Sequence, residues 1–306
     1  MSLEINEKLD HILQDLELIK NQLKIVPNKE MVIYNGKSSI EDYEKFAKAL
    51  KLDEKTITNH LSTISRFLTY SKGIINTDSV KEFLDSNDSL SWKSNQIKAL
   101  RKYIRDFLKL GNWIEEFKFS KSNAKIRTIP TDEDLMKFLQ LLPKQTRVIA
   151  LVLVTSGLRI GEVLSLRFVN IANELNMIDV SKVHEGDTKH SWLSFVTQQT
   201  VEILYEYLRE INFDYEDESK LFSNSSRVVQ NNFEQASENL GFKLKPHTLR
   251  MIFTEKCTIA GIKDKYINAF CGRVSKSVLA KNYTDYSPTS LKREYEKVES
   301  LLTFES

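Results

Sequence analysis

The sequence predicts a mainly α-helical protein: an N-terminal helical segment, a small all-helical domain, and a larger mixed α/β domain, mostly helical with a small antiparallel sheet. Three observations carry that expectation. Apolar residues return at three- and four-residue steps through most of the 306 residues, the period of an amphipathic helix. Only two short runs, residues 177–183 and 191–196, are β-like, and the polar segment between them reads as a hairpin turn. A basic stretch between Phe117 and Pro130 divides two helical patterns, as a linker does. This length suits about two domains, and 41% hydrophobic content suffices for packed cores.

No apolar run approaches the ~20 residues of a membrane span, and no signal peptide precedes the polar N-terminus. The expectation is a soluble, cytoplasmic protein with no membrane partner. The two cysteines, Cys257 and Cys271, sit in apolar helical patterns without metal-ligand spacing and read as buried thiols. Net charge is only +2, yet the charges are segregated. Residues 92–127 hold ten Lys/Arg against three acids, residues 242–283 hold nine against two, and residues 202–220 reverse the balance with seven acids and two bases. Local basic patches of this kind, rather than total charge, make the electrostatic footprint for a polyanion. A solvated basic face is the alternative reading of either patch alone.

Ile5, Leu9, Ile12, Leu16, Ile19 and Leu23 step by four and three, an a/d seam three heptads long. The seam predicts a coiled-coil oligomerisation helix over residues 1–28; a helix folded onto its own domain is the alternative. Residues 24–37, with Pro27 and Asn35-Gly36, break the pattern and read as a linker. The small all-helical domain is expected over residues 38–118. Ile40, Tyr43, Phe46, Ala47 and Leu50 share one face, and Ile57, Leu61, Ile64, Phe67 and Leu68 a second. Asp78-Ser79 reads as the cap of a third helix. In the fourth, Ile97, Leu100, Ile104, Phe107 and Leu108 form the apolar stripe. Beside it Lys98, Arg101, Lys102 and Arg105 stand at i, i+3, i+4 and i+7, a cationic ridge suited to a phosphate backbone. Lys118, Lys121, Lys125 and Arg127 make the following linker basic.

The larger domain is expected over residues 126–306. Thr131 N-caps its first helix, with acids in the first turn. Residues 148–154 are apolar throughout, so their helix belongs near the centre of the core; Gly157 interrupts it, and Arg159 opens the next helical run. A cation at a turn against so apolar a helix needs a partner. Glu162, one turn along, is the candidate, and a buried Arg–Glu pair with no further role is the alternative. The acidic residues 201–217 are expected to face away from any polyanion. Val229, Phe233, Ala236 and Leu240 make a helix closed by Gly241. Pro246 opens a helix on which His247 and Arg250, three apart, share a face, while Leu249, Ile252, Phe253 and Cys257 bury another. A capping histidine is the alternative for His247. Ser287-Pro288 starts a last helix, whose stripe Leu291, Tyr295, Val298 and Leu302 suits docking in a neighbouring protomer or packing on its own domain.

Four segments now read together: Thr155-Ser-Gly-Leu-Arg159-Ile-Gly-Glu162, Pro246-His247-Thr-Leu-Arg250, Gly272-Arg273, and Asn282-Tyr283-Thr-Asp-Tyr286. They resemble the signature of the tyrosine recombinases, the phage-integrase, Xer and Cre family, in which an Arg, a His-x-x-Arg pair, a His or Trp, and a Tyr converge on one DNA phosphate. The 23 residues from Arg250 to Arg273 are close to the family's usual interval. Two departures stand out: Arg273 occupies a place more often held by His or Trp, and Tyr283 comes one residue later than usual. Arginine still donates hydrogen bonds to a phosphate.

The resemblance implies the chemistry. Tyr283, with Tyr286 as the alternative, attacks a backbone phosphate and forms a 3′-phosphotyrosine, so that religation needs no ATP. A free phenol has a pKa near ~10 and needs help losing its proton. Arg159, Arg250 and Arg273 supply forked donors to the phosphate as charge develops. His247 transfers a proton or orients the phosphate, and Lys189 of the hairpin, or alternatively Lys182, is the general acid for the 5′-oxygen. With three cations at the phosphate, no metal or other cofactor is expected.

The implied partners are double-stranded DNA attachment sites and further copies of the chain, as a homotetramer on DNA in the host cell interior. Residues 38–118 match the family's core-binding domain in layout, and the basic linker would cross the duplex. The heptad helix and Gly272-Arg273 look like integrases of archaeal viruses and plasmids, which implies integration and excision of a mobile element rather than chromosome-dimer resolution. A catalytically inactive DNA-binding relative of the same fold and a type IB topoisomerase-like enzyme are the other readings.

Overall fold

The computed structural model describes residues 32–33, 36–119, 129–172, 176–181, 193–273 and 284–304. The heptad helix, the linker residues Lys121, Lys125 and Arg127, the hairpin lysines Lys182 and Lys189, and Tyr283 lie outside the described residues. The chain divides into two compact units, residues 1–125 and 126–306.

In the first unit, β1 (Val32–Ile33) pairs antiparallel with β2 (Ile74–Ile75), Val32 opposite Ile75. Part of the expected linker is therefore a strand, and the unit is not purely helical. All four positions carry β-branched residue types, which favour strand, but each run is too short to announce itself. The helices of this unit are α1 (Gly36–Ala49), α2 (Glu54–Tyr70), α3 (Thr77–Asp85) and α4 (Leu90–Arg101), with α2 packed on both α1 and α4 and with α3 against β2. Asn76, rather than Asp78, caps α3: its side chain accepts from the Ser79 N–H at 2.8 Å while Ser79 Oγ accepts from the Asn76 N–H at 3.1 Å, a reciprocal capping box.

The fourth helix does not run on as one regular helix. After Arg101 it widens into a π-helical stretch, Lys102–Phe107, in which the Leu108 N–H donates to Tyr103 O, five residues back. The widened turn accompanies a fully buried Tyr103 beside Ile104, and the Tyr103 hydroxyl hydrogen-bonds Ser39 Oγ. Its ring meets Tyr43 edge-on at 5.6 Å and stacks on Phe107 at 5.8 Å.

The expected cationic ridge is largely neutralised. Arg101 donates to Phe117 O at 2.7 Å and pairs with Glu115 at 3.1 Å. Lys102 pairs with Asp106 at 3.0 Å, and Arg105 with Asp106 and Glu115. Lys98 has no carboxylate partner among the described residues. A short 3-10 turn, Trp113–Glu116, brings Glu115 back onto this face. Arg105's hydrogen bonds, opposed by partial burial and aided by Lys102, hold the Asp106 carboxyl at about 2, below its ordinary 3.8. A depressed carboxyl pKa contributes stability above the ordinary value and loses it as pH falls towards the folded one. Asp106→Asn should therefore cost about 1 kcal/mol at neutral pH. Urea denaturation should show the deficit shrinking as pH falls from 3.8 towards about 2; a deficit independent of pH would assign it to packing.

The second unit begins with α5 (Asp132–Leu141), capped by Thr131, which accepts from the Asp134 N–H at 3.1 Å. Next comes α6 (Lys144–Ser156), buried at every residue from Val148 to Ser156, which makes it the central helix of the core. After α7 (Ile160–Leu164), three short strands form an antiparallel sheet in the order β3 (Ile171–Ala172), β4 (Met177–Asp179), β5 (Leu193–Phe195). Ile171 pairs with Ile178, and Met177 with Phe195. The two predicted strands pair as expected; β3 is an addition.

The acidic α8 (Gln198–Glu210) directs Glu206 and Glu210 to Lys144 on α6. Then follow α9 (Ser226–Leu240), α10 (Pro246–Ile259), α11 (Asp264–Phe270) and α12 (Pro288–Glu299). α10 packs on α6. The stripe of α12 packs within its own unit: Leu291, Tyr295, Val298 and Leu302 are fully buried in a cluster with Phe195, Phe253, Cys257, Phe270 and Cys271. Both cysteines are free and buried, and burial pushes the Cys257 thiol up.

Candidate active site

The site starts where α6 stops. Gly157 ends that helix with φ 66°, its N–H donating to Leu153 O at 3.1 Å. Only glycine adopts this left-handed cap without penalty, and a Cβ here would lie 2.3 Å from the Phe253 ring. The carbonyls before it are anchored: Thr155 O accepts from the Tyr295 hydroxyl at 2.9 Å, and Ser156 O from the Ser194 hydroxyl of β5. The central helix, the sheet and the last helix thus jointly fix the turn that carries Arg159.

Arg159 is extended at the N-terminus of α7 and held on three sides. Its N–H donates to Glu162 Oε2 at 2.6 Å, Nη1 to Glu162 Oε1 at 2.7 Å, and Nη2 to Gly272 O at 3.2 Å. Glu162, the predicted partner, is only 4% exposed. Glu162→Ala removes both acceptors from Arg159 and should destabilise the unit by about 1–3 kcal/mol, with the ionic part small because the Arg159 side chain is a third exposed. Urea denaturation checks this. Glu162→Gln, which retains an acceptor oxygen, should lose less.

Arg250 comes from α10. Pro246 takes the first helical position, and Thr248 Oγ1 accepts from the Lys245 N–H at 3.3 Å. Thr248 thus closes back on the residue before the helix, and His247 is exposed at the helix start. One turn on, Arg250 is 5% exposed. Its Nη2 donates to Cys271 O, while Nη1 is buried without a hydrogen-bond partner among the described residues. Burial lowers its guanidinium pKa, and Arg159 and Arg273 lower it further, against the opposing pull of Cys271 and Glu162.

Arg273 is delivered by the end of α11. Gly272 has φ 54°; its N–H donates to Ala269 O at 3.0 Å, and the Arg273 N–H to Asn268 O at 2.8 Å. This paired closure is a Schellman cap. It brings the Cys271 and Gly272 carbonyls to Arg250 and Arg159 and leaves Arg273 exposed beside them. Sequence reasoning missed these two carbonyl partners, although a glycine just after the run at residues 264–270 was a readable stop signal.

Arg159, His247, Arg250 and Arg273 line one open cleft of about 440 Å³, with Leu158, Ile160 and Pro246 as its apolar walls. Three guanidiniums with forked donors and an unpartnered buried N–H suit an anion with several oxygens. Among the described residues no group of three or more His, Cys, Asp or Glu is placed to hold a metal ion. Tyr286, the alternative nucleophile, lays its ring edge-on against Tyr266 at 6.3 Å, at the margin of the cluster around α12.

The profile of the phage integrase family matches residues 131–289, just over half the chain and every residue of this cleft. The protein belongs to that family, the tyrosine recombinases. It is similar to the tyrosine recombinase XerA of Pyrococcus furiosus, 24% identical over 279 residues that span 85% of this chain and 95% of that protein. Among solved structures it is similar to a lambda integrase dimer bound to a COC′ core site, with a TM-score of 0.66 and 19% identity over 90% of this chain and 85% of that one. A lambda integrase tetramer bound to a Holliday junction gives 0.65 and 17% over 88% and 87%. At these identities the structural likeness is one of fold.

Proposed function

We propose that the protein cleaves and rejoins double-stranded DNA at specific sites through a 3′-phosphotyrosine on Tyr283, in the integration and excision of a mobile element. The observation that carries this reading is the buried Nη1 of Arg250, which has no hydrogen-bond partner among the described residues, in a cleft shared with Arg159, Arg273 and His247. A non-bridging phosphate oxygen satisfies that donor, and the surrounding guanidiniums stabilise the charge that develops as the phosphate becomes five-coordinate. Lys189, with Lys182 as the alternative, protonates the leaving 5′-oxygen, and His247 orients the phosphate or relays a proton. The partners are DNA attachment sites and further copies of this chain, assembled as a homotetramer on DNA. Residues 38–118 act as the core-binding domain and residues 126–306 as the catalytic domain. Relatives of this fold solved as a dimer and a tetramer on DNA support that assembly.

The test is covalent capture. The full chain, incubated with nicked duplexes in excess EDTA, should yield an adduct stable on a denaturing gel and absent with Tyr283→Phe. Binding without an adduct would favour a non-catalytic DNA-binding relative. Relaxation of a supercoiled plasmid without pairing of two sites would favour the topoisomerase-like reading.

A further inference from the structure

We propose that Asp285 is a positioning residue for the reaction: it moors the segment carrying Tyr283 to the start of α12. This rests on the reading of Tyr283 as the nucleophile and names the group that sets its reach. Asp285 is two residues beyond Tyr283, and two residues of fully extended chain span no more than about 7 Å. Wherever Asp285 is tied, the tyrosine is confined close by.

The tie is double. Asp285 Oδ2 accepts from the Ser290 hydroxyl at 2.5 Å, and Oδ1 accepts from the Ser287 N–H at 2.8 Å, an Asx turn. The Ser290 hydroxyl first, and then the Ser287 N–H, hold its carboxyl below the usual range. α12 has its own means of forming. Ser287 caps it, its Oγ accepting from the Ser290 N–H at 3.4 Å, and Pro288 takes the first helical position. Leu291, Tyr295, Val298 and Leu302 bury its other face. Asp285 therefore orders the residues in front of the helix rather than the helix itself. Beside it the Tyr286 ring meets Tyr266 of α11 edge-on at 6.3 Å, so one short run touches both α12 and the helix that delivers Arg273.

α12 carries the tie to the cleft. Eight residues after Ser287, about 12 Å along the helix, the hydroxyl of the fully buried Tyr295 donates to Thr155 O at 2.9 Å. Thr155 lies in the final turn of α6, four residues before Arg159. One rigid helix thus holds the nucleophile's segment at its start and the turn of Arg159 further along. A misplacement of about 1 Å between reacting groups costs up to about 10²-fold in rate, which is the scale of effect open to a residue that acts through another.

The experiment follows wild type, Asp285→Ala and Asp285→Asn as full chains in two readouts. Single-turnover cleavage of the nicked duplex at saturating protein should fall by about ten- to a hundredfold in Asp285→Ala, with duplex affinity changed less than about threefold. Asp285→Asn should stay within about threefold of wild type, because its carbonyl still accepts from Ser287 and its amide donates to the Ser290 oxygen. Hydrogen exchange should quicken over residues 284–287 in Asp285→Ala and stay as in wild type over residues 291–298, which a general loss of α12 would not allow. The inference is overturned if Asp285→Ala cleaves at the wild-type rate, if Asp285→Asn is as slow as Asp285→Ala, or if exchange quickens along the whole of α12. A wild type that forms no adduct overturns the reading of Tyr283 and this inference with it, whereas equal rates of adduct formation by wild type and Asp285→Ala sink the inference alone.

Discussion

Arg250→Ala should reduce adduct formation by about 10²–10³-fold while weakening duplex binding only by the loss of about one phosphate contact. The asymmetry follows from where the side chain sits. Arg250 is 5% exposed, with one terminal nitrogen committed to Cys271 O and the other buried with no partner among the described residues. A donor fixed in advance, where charge develops only during the reaction, lowers the barrier more than it strengthens ground-state binding. Arg250→Lys keeps the charge and removes the fork, so it should recover little activity. Single-turnover cleavage and gel-shift titration on the same nicked duplex separate the two effects. Equal losses in both would mean that Arg250 serves binding alone.

The second large effect belongs to Gly157→Ala, far gentler as chemistry and severe as structure. The left-handed backbone costs about 1–2 kcal/mol once a Cβ is present. The new methyl would also meet the fully buried Phe253 ring at 2.3 Å, an overpacking worth about 1–3 kcal/mol more. Together these come to about 2–5 kcal/mol, in a turn that also carries Arg159, so stability to urea and adduct formation should fall together. Gly241→Ala is the control. Gly241 has φ 73° as well, but nothing lies within 4 Å of its Cβ position, so it should show the backbone cost alone. Equal losses for the two would mean that the Phe253 ring gives way.

What was legible in the sequence was whatever side chains write in their own spacing. The apolar run that became α6, the glycine that ends it, Glu162 as the partner of Arg159, and the sharing of a face by His247 and Arg250 follow from helical geometry and from the cost of burying a lone cation. The acceptors Cys271 O and Gly272 O were not legible, because every residue has a carbonyl and only the Schellman turn aims these two.

The ridge misled for a related reason. Helical spacing places Lys98, Arg101, Lys102 and Arg105 on one face, but it says nothing of Glu115, which a later turn brings back to pair with two of them. Asn76 displaced Asp78 as a cap because both are short acceptors and only the backbone picks between them. The stripe on α12 declared that it would be buried, not where. Its place against Phe195, Phe253 and Phe270 is a property of the assembled core.

The most direct test of the central claim locates the covalent bond. Adduct formed on a nicked duplex in excess EDTA is digested with nuclease and trypsin, and the peptide from Asn282 to Lys292 is fragmented in the mass spectrometer. It contains both Tyr283 and Tyr286. The account predicts a nucleotide phosphate on Tyr283. A phosphate on Tyr286, or on any other residue, would contradict it, as would the absence of adduct from a chain that binds the duplex.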